Sequence, residues 1–363
     1  MRPIKILTDS TADLSKEILE KYDIGVIPLT VTLGEKSYKD GFEICAKDIF
    51  ETYAEKKILP KTSAVSVIEY TDIFAHWVEK GYDVVHFTIS SSMSACYQNA
   101  CIAAVETGHV WTIDSASLST GIGLLVVLAA ELAAKGESAE LISREIAEAK
   151  TKVDASFVLN QLEFLHKGGR CSSVAALGAN LLKLKPCIGV ENGAMSVGKK
   201  YRGSFEKCAL EYVKDKLDGN ENIDTDVVFL TWTGVEQKLV KEIEKEMKKY
   251  QKFGKIYVTE AGSTVSGHCG PGTFGIIYFR KENSLKKKGY NEKFNQSLQN
   301  RPRSFKFPYH RTGKSRTLFQ KQKSGCRWLY RNALRFFGKN RNRTYDGCCF
   351  APDPCAHPFR NYF

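Results

Sequence analysis

The stretch Asp83-Val84-Val85-His86-Phe87-Thr88-Ile89-Ser90-Ser91-Ser92-Met93-Ser94-Ala95-Cys96-Tyr97-Gln98 decides the reading of the fold. Residues 83–89 form an apolar run of strand length, and helical character follows over residues 93–106, with only a serine-rich turn between them. A strand passing so directly into a helix is half of a crossover unit. The same alternation recurs on both sides. Residues 4–8 are followed by a helix at 15–22, a strand is expected at 24–31, and helices at 46–56 and 67–80. Beyond the quoted stretch, a strand at 110–113 leads to a helix at 121–135. This succession predicts an α/β domain over residues 1–152 built on a parallel sheet with crossover helices.

From residue 153 the pattern changes. Strands are expected at 157–160, 187–191, 194–199, 226–231, 255–259 and 274–279, with helices at 174–182, 205–217 and 237–250. The turn Glu191-Asn192-Gly193-Ala194 joins two of these strands as a hairpin. Residues 153–282 are therefore expected to form a second α/β domain on a mixed sheet. After that the apolar period stops. Residues 283–363 read as a basic tail of low order, and an extension foreign to the working protein is the leading explanation for it.

Charge follows the same division. The chain of 363 residues carries a net +12, but residues 281–363 alone carry +16, which leaves −4 on residues 1–280. An argument for nucleic acid or an anionic surface applies to the tail only. Within it, Gly313-Lys314-Ser315 lacks the first glycine of a phosphate loop, and Cys348, Cys349, Cys355 and His357 lack zinc spacing, so no metal is expected. The N-terminus enters a strand without a signal-peptide core, and the longest apolar stretch, 121–134, is too short to span a bilayer and reads as an amphipathic helix, which makes the cytoplasm the expected location. Eleven scattered cysteines read as reduced thiols.

Ligands of open α/β sheets gather where strands end. Three hydroxyl-rich segments fall at such places: Asp9-Ser10-Thr11, Lys61-Thr62-Ser63 ahead of the helix from Val67, and Ser90 to Ser94. Each hydroxyl taken singly is more simply a helix cap; their convergence on one small anion is the functional reading. His268, in Ser266-Gly267-His268-Cys269-Gly270-Pro271-Gly272, is read as a loop histidine able to donate to a carboxylate, on a glycine-rich backbone that permits close approach. Gly270 to Gly275 matches a dinucleotide fingerprint in letters, yet a strand follows it where a helix is required.

Asp9-Ser10-Thr11-Ala12-Asp13-Leu14, Asp40-Gly41, Lys61-Thr62-Ser63, Ile89-Ser90-Ser91 with Ser94 and Tyr97-Gln98, Ile113-Asp114-Ser115, Lys167-Gly168-Gly169-Arg170, Lys185-Pro186 and Gly267-His268-x-Gly270-Pro271-Gly272 run in order across residues 3–280. Together they resemble the DegV family of bacterial fatty-acid-binding proteins. The resemblance implies a two-domain α/β fold holding a long-chain fatty acid between the domains, with no other cofactor. It implies that Thr62, with Ser63 beside it, and Ser94 hold the carboxylate, with His268 close by. Ser10, Arg170, Arg202 and Gly270 match positions near the pocket or a docking face, where a loop-bracing role competes for the arginines. It further implies a carrier without chemistry of its own, presenting the acid to a separate ATP-dependent fatty acid kinase that forms an acyl phosphate; transient membrane contact is compatible with such a carrier. The chain departs from the family at Met93-Ser94-Ala95-Cys96, where Leu-Ser-Gly-Thr is usual.

Burying about sixteen carbons at about 0.8 kcal/mol per methylene gives on the order of 12 kcal/mol of driving force, so a few donors suffice to orient the head. Two other readings compete. A hydrolase would use Ser94 or Ser10 as nucleophile with His268 as base, but no nucleophile elbow is present. Nucleic-acid binding would rest on the tail alone.

Overall fold

The computed structural model describes residues 2–175 and 184–281. The tail from residue 283, with its Gly313-Lys314-Ser315 stretch and its cysteine cluster, lies outside the described residues, as does most of the helix expected at 174–182. Residues up to Phe279 belong to one compact unit.

The N-terminal part contains β1 (Ile4–Asp9), α1 (Lys16–Lys21), β2 (Gly25–Ile27), β3 (Thr30–Leu33), β4 (Lys36–Lys39), α2 (Ala46–Lys56) and β5 (Lys61–Ser63). There follow α3 (Val67–Glu79), β6 (Asp83–Thr88), α4 (Cys96–Thr107), β7 (Val110–Asp114), α5 (Thr120–Ala134) and α6 (Ala139–Ala149). Strands β2-β1-β6-β7 form the expected parallel sheet, with Leu7 opposite both Gly25 and His86. The single strand expected at 24–31 is two strands. Pro28, which has no N–H to give to a ladder, falls between β2 and β3. Beyond that break the chain leaves the parallel sheet, and β3 pairs antiparallel with β4 and β5 as a separate three-stranded sheet. The Thr62-Ser63 segment is consequently an edge strand of that small sheet and not a turn.

The C-terminal part comprises β8 (Val153–Leu159), α7 (Glu163–Gly168), α8 (Ser172–Ala175), β9 (Leu184–Glu191), β10 (Ala194–Arg202), α9 (Phe205–Leu217) and β11 (Ile223–Thr233). It closes with α10 (Gln237–Tyr250), β12 (Lys255–Glu260), α11 (Ser263–Cys269) and β13 (Thr273–Arg280). Its sheet has the order β10-β9-β8-β13-β11-β12 and is mixed, with β8 antiparallel to β9 and β13 and β11 parallel to β12. The hairpin at Glu191–Ala194 forms as expected, because Asn192 and Gly193 both take positive φ, 51° and 83°.

Alternation along β13 assigns the two faces of this sheet. Phe274, Ile276 and Tyr278 join the core under α9 and α10 with Tyr212, Val240 and Met247, while Ile277 joins Ala155 and Phe229 against α5. Helix α5 explains the apolar stretch at 121–134. Ten of its fifteen residues are buried, and it packs against β1 and β6 as well as β8 and β11, so an all-round apolar surface is what its place between two sheets requires. Among the described residues no helix is long and apolar enough to cross a membrane.

Candidate functional site

Three elements carry the site: edge strand β5, the turn before α4, and α11. Each is held by groups that the sequence supplies locally. Pairing of Thr62 with Val31 fixes β5, and the cap of α3 is made by Ser66, whose side chain accepts from the Glu69 N–H while Glu69 reaches back to Ser66. Thr62 and Ser63 are thereby released from capping. In the second turn the serines divide. Ser90 is fully buried, donates to the Gly193 carbonyl at 2.7 Å and accepts from the Ser92 N–H, so it fastens the hairpin of the mixed sheet to the parallel sheet. Ser91 donates to Asp114. Ser94, only partly buried, accepts from the Cys96 N–H at 3.3 Å and donates to Cys96 Sγ at 3.2 Å. A thiol is a weak acceptor, so that donor is readily redirected.

His268 does not lie in a loop; it stands in the last turn of α11. The N-terminus of this helix is tied to the other half of the molecule. Asp13 Oδ1 accepts from the Gly262 N–H at 2.8 Å, Asp40 Oδ1 accepts from the Ser263 N–H at 2.7 Å, and the Ser263 hydroxyl donates to the Ile44 carbonyl. Free N–H groups at a helix start need such carboxyl-oxygen acceptors. The sequence reading took Asp40 only as a piece of a motif and missed this anchoring role. Glycines around His268 admit neighbouring protein groups: a Cβ at Gly267 would stand 2.7 Å from Pro60 Cγ, and one at Gly270 2.7 Å from the Phe164 ring. Gly270, at φ 76°, ends α11 and packs on Phe164; it does not line the cavity.

With these anchors in place, His268 Nε2 lies 2.9 Å from Thr62 Oγ1. Burial, with the charge of Arg170 adding to it, lowers the imidazole to about 4, so the ring is neutral at physiological pH. With Nε2 protonated, the ring donates to Thr62 and leaves the threonine hydrogen free for an acceptor. Among the described residues Nδ1 has no hydrogen-bond partner, so none of their carboxylates orients the ring as a general base would need. Ser94 and Ser10 both bond elsewhere: Ser10 donates to Asp40 Oδ2 and accepts from the Leu29 N–H. No serine–histidine pair of the kind the hydrolase reading needs is formed by these residues.

Thr62, Ser63, Ser94, Arg170 and His268 line one cavity of about 230 Å³ whose remaining wall is mostly apolar, with Ile89, Met93, Leu118, Leu165, Met195 and Val265. The structure thus brings together four of the residues singled out for the carboxylate, and Arg170 with them. Arg170 is exposed at its rim and donates to the Gly168 carbonyl. Arg202 stands exposed at the end of β10, away from this wall, and Ser10 lines a separate cleft with Asp13 and Asp40. Leu118, Val265 and Cys269 also bound a smaller void of about 30 Å³ against the mixed sheet, where Ala155, Phe157 and Ile277 lie. Burial pushes the thiols of Cys96 and Cys269 up to about 12, with Asp9 adding to the first and Asp13 to the second, so neither is a thiolate nucleophile. Among the described residues no group of side chains could hold a metal ion.

A family model described as an uncharacterised protein of the DegV family matches residues 3–281. A DegV domain-containing protein of Clostridium acetobutylicum is 35% identical over 291 residues, covering 77% of this chain and 100% of its own. Among solved structures, a DegV family protein from Thermus thermophilus described for fatty acid binding is 30% identical with a TM-score of 0.70, covering 77% of this chain and all of its own. A stearic acid-binding protein from Eubacterium ventriosum is 29% identical with a TM-score of 0.68, covering 77% of this chain and 98% of its own.

Proposed function

The chain belongs to the DegV family, and from that premise we propose that it is a carrier that binds one long-chain fatty acid, with the carboxylate at Thr62 and Ser94 and the acyl chain in the apolar cavity behind them. One observation carries the reading: a half-buried, neutral His268 bonds Thr62 on the wall of a cavity that is polar at one end and apolar elsewhere. A ligand that suits both ends has a single anionic head and a long hydrocarbon tail.

The polar donors have distinct tasks. His268 donates to Thr62, Thr62 passes its own hydrogen to a carboxylate oxygen, and Ser94 turns its hydrogen from the Cys96 sulfur to the ligand. Such a chain of bonds is polarised toward the anion, and exchange of a weak sulfur acceptor for a carboxylate is favourable. The open volume of about 230 Å³ is below the roughly 300–1,000 Å³ of common ligand sites. The adjoining void past Leu118 and Cys269 adds about 30 Å³, and a long chain extends into it as the side chains around it yield.

The head-group end lies beside exposed residues, Ser63, Ala95 and Arg170, while the apolar wall leads inward. A carboxylate held there remains reachable by another protein. This polarity supports delivery of the acid to an ATP-dependent kinase that forms the acyl phosphate, with exposed Arg170 and Arg202 available to a docking partner. The test is to incubate the palmitate-loaded protein with a fatty acid kinase catalytic subunit and ATP. ADP and palmitoyl phosphate formation that depends on the loaded carrier is expected, and its loss in Arg170→Ala at unchanged lipid content would place that residue at the docking face. No carrier-dependent turnover with any kinase subunit of a DegV-containing genome would remove the delivery role.

A further inference from the structure

Thr264 lines the same cavity, is 4% exposed, and its hydroxyl is buried without a hydrogen-bond partner among the described residues. Two other buried hydroxyls among them, Thr11 and Ser117, are likewise unpaired, but neither lines this cavity, and several close by are satisfied. Thr120, Thr231 and Thr259 bond in series, Thr233 bonds Ser266, and Ser263 bonds the Ile44 carbonyl. A threonine inside a helix commonly returns its hydroxyl to the carbonyl four residues back. Thr264 is the second residue of α11, so the carbonyl four positions back belongs to Glu260, at the end of β12 and outside the helix. The local backbone therefore gives this hydroxyl no partner.

Thr264 stands four residues before His268 on a helix, so the two share a face, and both meet the cavity. An unpaired buried hydroxyl is costly, and an alkyl chain packed on it would leave it unpaired for good. The polar end of the ligand is the only part of a fatty acid that answers it. Resting on the carrier reading above, we propose that Thr264 is a further head-group donor, its Oγ1–H bonding a carboxylate oxygen alongside Thr62 and Ser94. Two carboxylate oxygens offer about four acceptor positions, so three hydroxyl donors are accommodated.

The test uses the full-length protein stripped of lipid, titrated with sodium palmitate and with hexadecanol, in wild type, Thr264→Val, Thr264→Ser and Thr62→Val. Valine keeps the volume and removes the hydroxyl. Thr264→Val is expected to weaken palmitate binding about tenfold or more, the loss of one bond to a charged group, and to weaken hexadecanol binding far less. Thr264→Ser should restore palmitate binding, and ligand-free Thr264→Val should melt no lower than wild type. Unchanged palmitate affinity in Thr264→Val, with Thr62→Val impaired, would overturn the role of Thr264 while leaving the carrier reading intact. An equal loss for acid and alcohol would overturn it too, since that result describes altered shape. A wild-type protein that binds neither ligand would overturn both.

Discussion

Gly168 gives the imidazole of His268 its seat: a Cβ at position 168 would stand 2.4 Å from Nδ1 and 3.3 Å from Cε1. The ring cannot retreat from such a contact while keeping its 2.9 Å bond to Thr62. Gly168 does not have positive φ, so the backbone itself accepts alanine. Gly168→Ala is expected to push the ring off Thr62 and to weaken fatty acid binding about as much as Thr62→Val does. The two changes act on one contact, so the double variant should lose little more than either single one. Additive losses in a palmitate titration would show that the residues act separately.

The pH dependence of stability should carry two opposed contributions. Burial pushes the Asp13 carboxyl from its usual 3.8 up to about 8; bonds from Ser119 and Gly262 oppose that rise, and the charge of Asp40 adds to it. The folded state then holds a proton that the unfolded state releases, so this contribution is complete below about 4 and is lost as the pH rises through about 8. Asp13→Asn should flatten that decline in melting temperature, and an identical slope in wild type and variant would contradict the assignment. For His268, lowered from 6.5 to about 4, the sign is reversed: its contribution is present above 6.5 and lost as the pH falls through about 4. His268→Gln should remove that acid-side loss.

Ser90 and Ser94 are four residues apart and should behave oppositely. Ser90→Ala leaves the Gly193 carbonyl without its donor in a fully buried place and is expected to cost about 1–3 kcal/mol of stability with little change in ligand affinity. Ser94→Ala removes a bond to a sulfur acceptor and a long 3.3 Å bond from the Cys96 N–H, and should lower fatty acid affinity at a smaller stability cost than Ser90→Ala. Chemical denaturation alongside palmitate titration separates the two. Interchanged effects would mean that the ligand head lies at the hairpin.

Acyl length should respond to the inner void. Ala155 lines it from β8, and Ala155→Leu fills a space of about 30 Å³ at an overpacking cost of about 1–3 kcal/mol. The variant is expected to co-purify with shorter chains than wild type, read by mass spectrometry of extracted lipid. The same length distribution in both would put the tail elsewhere.

The parallel sheet was legible because strands such as β1 and β6 are short apolar runs that pass at once into polar turns, and the hairpin was legible because Asn192-Gly193 suits positive φ. The split at Pro28 was visible as a residue, yet its effect, sending β3 into a separate sheet with β5, depends on a pairing with Thr62 some thirty residues away. The same holds for the site. Thr62, Ser63, Ser94 and His268 could be named from hydroxyl-rich segments, a glycine-flanked histidine and family resemblance. Asp13 and Asp40 as anchors of α11 could not, because they meet Gly262 and Ser263 only when the two sheets pack on α5. Thr264 carries no motif at all; its signal is a missing hydrogen bond, which exists only in three dimensions.

The most direct test of the central claim is native mass spectrometry of the full-length protein as purified, followed by denaturing extraction, for wild type and for a Thr62→Val, Ser94→Ala double variant. One adduct of fatty-acid mass per chain is expected in wild type, and its loss in a variant that still melts cooperatively. A wild-type protein that is empty and takes up no added palmitate, or a variant that carries the same lipid load, would contradict the account.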